Sequence, residues 1–258
     1  MPAENKTRRS RTTEANGIIR PYEGRDREAV REICRRTAYR NRGSTGFFED
    51  DELFADYWTS YYTDHEPESS FVIEEDGEVI GYLIGCIDTR RMVRVMARSV
   101  VPQLLGKMLW RFATFRYRQP GTRRMMRWIF FHSWKEAPHV PLDRYPAHYH
   151  CNILRKGYGK RYYTSLALTF LDYLEKRGVE RLHGQVEEPA DKGVFRQMVT
   201  QYGEAHGIMH MLEHFSEKPS SFQRIVLGVD KPMINRAWGA RVKDYRGWLE
   251  WTAKKHHM

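Results

Sequence analysis

Between Tyr145 and Val186 the spacing of apolar residues changes twice, and this change limits the folds open to the chain. Tyr145–Leu154 reads as a strand. Lys160–Arg177 then puts Tyr163, Leu166, Ala167, Phe170, Leu171 and Leu174 on one helical face, and Arg181–Glu187 reads as a strand again. Gly157 and Gly159 punctuate the first connection, and Gly178 suits the end of the helix. A strand–helix–strand unit implies a crossover, so the sheet that holds it has parallel character at this point.

Upstream, Ser70–Glu74 and Val79–Asp88 flank the turn dipeptide Asp76-Gly77, which predicts an antiparallel hairpin. Gly17–Tyr22 precedes them as a short strand. Two amphipathic helices, Arg25–Thr37 and Asp51–Tyr61, lie between. Downstream, the pattern predicts a helix over Asp191–Gln201, strands over Gly207–Phe215 and Phe222–Val229, and a basic helical extension over Met233–Met258, docked by Trp238, Trp248 and Trp251. Early hairpins followed by a crossover give an α/β fold with a mixed, mostly antiparallel sheet and helices on both faces. The expected division is a basic disordered tail over residues 1–16, one folded unit over 17–230 with a helical insertion at 89–135, and the extension at 231–258.

Charge is distributed unevenly. Thr89–Lys135 contains twelve Lys and Arg and no acid, more than the net +10 of the whole chain. The segment therefore carries the basic character alone. Val101, Leu104, Leu105, Met108, Phe112 and Phe115 form one stripe at helical pitch, and Gln119-Pro120-Gly121 separates it from a second helical piece over Arg123–Phe131. Four uses fit such a segment: a lid favouring an acidic substrate or phosphates, a face for an anionic membrane surface, a nucleic-acid contact, or a packed helical pair with a solvated basic face. Nucleic acid is the least favoured of these. No apolar run reaches the length of a membrane span, and the polar N-terminus lacks the apolar core of a secretory leader.

Cys34, Cys86 and Cys151 are widely spaced and odd in number, which suits reduced thiols in a cytoplasmic protein. His206, His210 and His214 recur every fourth residue. The alternation of Ile208, His210 and Leu212 favours a strand that separates them, and no metal site is expected. His148 and His150 project to one strand face.

The stretch YPAHYHCNILRKGYGKRYYTSLALTFLDYLEKRGVERLHGQV, with FVIEEDGEVIGYLIG before it, resembles the GNAT N-acetyltransferases. That resemblance implies direct transfer of an acetyl group from acetyl-CoA to an amine on a small molecule or protein. It implies that the strand edge Cys151–Leu154, with Ile153, pairs with the pantetheine arm. The loop of Arg155, Lys156, Gly157, Gly159 and Lys160, with Arg161 and Thr164 at the helix start, would hold the pyrophosphate. His150 or Glu187 would take the amine proton, and Tyr202 lies near the usual position of the acid for the leaving thiolate. Bulky Arg161, Tyr163 and Met198 keep open the alternative of a domain of this fold that has lost catalysis and serves as a binding module.

Overall fold

The computed structural model describes residues 17–191, 193–208 and 211–255; the expected tail over 1–16 and His210 lie outside them. A first sheet joins β1 (Ile18–Pro21), β2 (Ser70–Glu75), β3 (Glu78–Cys86) and β4 (His148–Ile153), antiparallel throughout. The Asp76-Gly77 turn forms as expected, with both residues at positive φ. A second sheet has the order β5 (Arg181–Pro189), β7 (Met233–Arg241), β6 (Leu212–Ser220). The two sheets meet at one parallel bridge, Ala147 to Leu182, where the His183 amide donates to the Ala147 carbonyl at 2.8 Å. Beyond that point β4 and β5 separate.

Helices cover both faces. On one side lie α1 (Arg27–Asn41) and α2 (Asp51–His65), whose Val30, Ile33, Tyr61 and Tyr62 pack on Tyr82, Ile84 and Cys86 of β3. On the other lie α7 (Tyr162–Lys176), α8 (Val194–His206) and α10 (Val242–Lys255), in a core with Leu166, Phe170, Leu171, Trp238 and Tyr245. Arg31 is nearly buried between α1 and α2 and pairs with Glu52, Asp56 and Glu28, which fixes the two helices to one another.

The insertion is helical: α3 (Thr89–Val95), a wider turn over Met96–Val100, α4 (Val101–Ala113), α5 (Pro120–Phe131) and the short α6 (Ser133–Glu136). Pro120, expected as a breaker, opens α5 instead, because the first helical position needs no amide partner. Leu104, Leu105 and Met108 face inward and share a small core with Phe47, Phe48, Leu53 and Met126. Phe112 and Phe115, expected on the same stripe, are exposed.

The C-terminal third departs most from expectation. Gly207 ends α8 in a left-handed conformation, so the next strand starts later, at Leu212. Phe222–Val229 is not a strand; its first six residues form α9 (Phe222–Leu227), with Ser221 held by Glu136 of α6 through its amide at 3.0 Å and through its hydroxyl. The Met233–Met258 segment is not wholly helical, since its first part is β7, the strand between β5 and β6. The charge of Arg236 disguised it. Acids on both neighbouring strands match that charge, Glu188 at 2.9 Å and Glu217 at 2.8 Å.

Candidate active site

The ladder between β3 and β4 determines which main-chain groups of β4 are free. The Leu154 amide donates to Ile80 on β3 at 2.9 Å. Antiparallel pairing alternates direction along a strand, so His148, His150 and Asn152 also turn their main chain to β3. Ala147 faces the other way, toward His183. Tyr149, Cys151 and Ile153 therefore present N–H and C=O to the gap between β4 and β5. No strand among the described residues pairs with that edge.

The gap widens into a cavity of about 910 Å³. Its walls are the end of β4, the Gly157–Gly159 loop, the first turn of α7, Met198 of α8, and Trp248, Leu249 and Thr252 of α10. The loop depends on its glycines for different reasons. A Cβ on Gly157 would meet Ile153 Cγ2 at 2.7 Å, so the close approach excludes a side chain. Gly159 stands in open space at φ +78°, a conformation that only glycine adopts easily. Arg161 follows at φ +58° and no side chain caps α7, which leaves the amides of its first turn without an intrahelical partner.

A second cavity of about 190 Å³ lies on the opposite face of β4, against α1 and α2. Phe54, Trp58, Tyr39, Tyr82 and His150 form most of its wall. Thr37 and Asn152 line both cavities, so the two meet there.

Comparison with family models and with curated proteins gives no match. Among solved structures, SsHAT aligns over 88% of this chain and 98% of its own, with 26% identity and a TM-score of 0.54. The fold is GNAT-like. Other structural neighbours are named as acetyltransferases, at lower similarity. An N-acetyltransferase from Staphylococcus aureus Mu50 is 12% identical over 88% of this chain and 99% of its own, TM-score 0.45. The yncA protein of Salmonella typhimurium, solved with its cofactor acetyl-CoA, is 12% identical over 88% and 94%, TM-score 0.41.

In this GNAT-like frame the residues named from sequence are distributed unevenly. Cys151, Ile153, Gly157, Gly159, Arg161 and Thr164 line the larger cavity. Leu154 does not; it is buried among Tyr82, Val30 and Ile33 on the α1 side. Arg155 and Lys156 are exposed on the loop outside the cavity lining, and Lys156 pairs with Glu78. Lys160 is held by Glu75 at 2.5 Å.

His150 lines the smaller cavity, its ring edge-on to Trp58 at 5.3 Å. Burial, reinforced by His183, lowers its pKa to about 4. His148 has no spare nitrogen. Thr89 Oγ1 donates to the Pro146 carbonyl at 2.6 Å, so it accepts from His148 Nδ1 at 2.6 Å, and Tyr62 donates to Nε2 at 2.8 Å. Burial depresses its pKa, as it does that of His183, whose Nδ1 donates to the Tyr145 carbonyl. Three neighbouring imidazoles are thus kept neutral.

Two further expectations fall elsewhere. Glu187 accepts from Ser220 at 2.7 Å and Gln223 at 3.2 Å and lines neither cavity. Tyr202 is buried against His206 and Trp251, under Gly247 of α10, and also lines neither. A tyrosine to which sequence reasoning gave no catalytic role lines the cavity instead. Tyr163 lines it and is hydrogen-bonded to Tyr149 at 2.9 Å and Tyr245 at 3.3 Å, with Tyr149 and Tyr245 joined at 2.8 Å. Burial raises the pKa of all three. The position of Tyr163 was counted as a bulky obstacle, and nothing local in sequence pointed to Tyr245, which lies eighty-two residues away. Among the described residues no cluster of His, Cys, Asp or Glu is arranged to hold a metal ion.

Proposed function

We propose that the protein transfers an acetyl group from acetyl-CoA to an amine directly. The observation that carries this is the unpaired β4 edge at Tyr149, Cys151 and Ile153, opening into a cavity that ends on a glycine loop and an uncapped helix start. Free main-chain groups can pair with the amides of a pantetheine arm, and the first-turn amides of α7 suit a pyrophosphate. At about 910 Å³ the cavity lies in the upper part of the usual ligand-pocket range of roughly 300–1,000 Å³. Arg161 supplies charge at the cavity, whereas Lys156 and Lys160 are engaged by Glu78 and Glu75.

The amine nitrogen attacks the thioester carbonyl, the carbon–sulfur bond breaks, and the nitrogen loses a proton while the thiolate gains one. In this scheme His150 accepts the nitrogen's proton from the second cavity, and Tyr163, protonated and on the first, is the proton donor to sulfur. A covalent cysteine route is disfavoured, because burial pushes the Cys151 thiol up to about 12 and Cys34 up to about 11. Calorimetric titration with acetyl-CoA tests the reading: saturable one-to-one heat supports it, and no heat at millimolar ligand rejects it.

A second reading, of a catalytically silent module on an anionic membrane surface, draws on the insertion. Trp110, Phe115, Phe131 and Trp134 are each more than 60% exposed. Arg116, Arg123 and Arg127 are also exposed and stand without a carboxylate partner among the described residues. Among the described residues no helix is long and apolar enough to cross a membrane, and in this reading the contact is peripheral. Pelleting with phosphatidylserine vesicles but not with phosphatidylcholine vesicles supports surface binding; equal recovery in both supernatants rejects it.

A further inference from the structure

The smaller cavity constrains the acceptor, an inference that rests on the transferase reading above. We infer that it takes a single-ring aromatic amine that arrives uncharged, and not an alkylammonium, a polyamine or an amino sugar.

The wall carries the argument. It is made by Phe54, Trp58, Tyr39 and Tyr82, with Cys34, Ala38, Thr37, Asn152 and His150 completing it. It holds no carboxylate and no cationic side chain. Glu28, Glu32, Glu52 and Asp56, on the two helices that carry most of the wall, are engaged by Arg31 and Arg35 between α1 and α2. An ammonium group entering this site would lose water and find no carboxylate, and contacts with ring faces do not replace a counter-charge. Hydroxyls that reach an amino sugar would meet the same aromatic wall.

An aromatic ring meets a different environment. Trp58 and Tyr62 set their rings edge-to-face on His150, at 5.3 and 5.8 Å, and Phe54 lies 6.3 Å from Trp58. This arrangement receives another ring readily. The size agrees, since an apolar cavity of about 150 Å³ accommodates benzene and this one has about 190 Å³. The reacting nitrogen would point to Thr37 and Asn152, which line both cavities. The basicity of His150 is consistent with this choice. An imidazole lowered to about 4 cannot take the proton of an alkylammonium, whose pKa is near that of Lys, about 10. It need not do so for an arylamine, which is already neutral at pH 7, and it has only to receive the proton released as the amide forms.

The insertion has a part in this site. Trp128 packs on Phe222, Phe222 on Phe47, and Phe47 on Phe54, at 5.1 to 5.8 Å between ring centres. That aromatic series braces the wall from behind.

The test uses the full chain with acetyl-CoA and follows release of the free thiol. Aniline and 4-substituted anilines are compared with spermidine, glucosamine and a lysine peptide at equal concentration. The expected result is a kcat/KM about 10²-fold higher for the anilines. Trp58→Ala, at a position 40% exposed, is expected to raise the aniline KM about 10-fold while calorimetry shows unchanged acetyl-CoA affinity. Turnover of spermidine or glucosamine with the anilines inert overturns the inference and leaves the transferase reading intact. Absence of acetyl-CoA binding removes both.

Discussion

The two cavities that meet at Thr37 and Asn152 are built from different materials. The larger one is a main-chain site, made by a strand edge, a loop with two glycines and a helix start. The smaller one is a side-chain site, made by aromatic rings from β3, β4 and two helices that ion pairs hold in place. Damage should follow the same division. Substitutions that change backbone space should act on the larger cavity, and those that change rings or their supports should act on the smaller.

The largest expected effect is on the supports. Arg31 is nearly buried and joins α1 to α2 through Glu28, Glu52 and Asp56. Arg31→Ala takes the close cation from Asp56 while Glu28 and Glu52 keep Arg35, and removal of one partner from a buried pair costs about 3–5 kcal/mol. Because Glu28 and Glu52 are more than half exposed, the lower end is expected, a fall of about 10 °C in Tm for a chain of this size. Acetyl-CoA affinity measured on the folded protein at low temperature should be unchanged. A loss of that affinity equal to the loss of arylamine turnover would break the division between the cavities.

Gly157→Val should do the reverse. The added side chain meets Ile153 Cγ2 and approaches Tyr162, so either the loop or the strand edge must shift. Overpacking of this kind costs about 1–3 kcal/mol. Here most of it should fall on ligand binding, raising the acetyl-CoA Kd by about 30-fold, with Tm little changed. Retained affinity would show that this loop does not hold the donor.

The same difference in material explains what the sequence disclosed. A main-chain site leaves local marks. Glycines between a strand and a helix placed the larger cavity within residues 151–164, because close approach and positive φ restrict residue choice. A side-chain site leaves few, because its parts come from separate elements. Phe54, Trp58, Tyr82 and His150 become neighbours only after two helices fold onto the hairpin, and each alone reads as core. Glu187 and Tyr202 were plausible from chain position, but their partners, Ser220 and Gln223 for one and Trp251 for the other, pull them away. β7 was hidden for a related reason. Its Arg236 reads as a surface charge until the strands carrying Glu188 and Glu217 flank it.

Titration separates the two sites again, with a smaller effect. The unfolded pKa of His is about 6.5, and His150 is lowered to about 4 in the fold. Between these values the unfolded chain binds the proton and the folded chain does not, so stability falls as the pH drops from 6.5 toward 4 and rises on the return. His148 and His183 act in the same direction. His150→Asn should therefore flatten the dependence of the urea midpoint on pH across that window, by a contribution of order 1–2 kcal/mol for a half-buried ring. An unchanged slope would mean that His150 titrates normally.

The smallest effect comes from the second glycine, and it distinguishes space from backbone conformation within a single loop. Gly159 has nothing within 4 Å of a added Cβ, so Gly159→Ala meets no neighbour. It carries only the penalty of holding an L-residue at φ +78°, about 1–2 kcal/mol, whose lower end corresponds to an acetyl-CoA Kd raised about 5-fold if the penalty falls on the bound loop. Asn tolerates the left-handed region better than Ala does, so Gly159→Asn should recover part of the affinity although its side chain is larger. No enlarged residue should recover it at Gly157, where the obstacle is Ile153. If Asn were worse than Ala at 159, the loop would be limited there by volume, and the two glycines would be doing the same job.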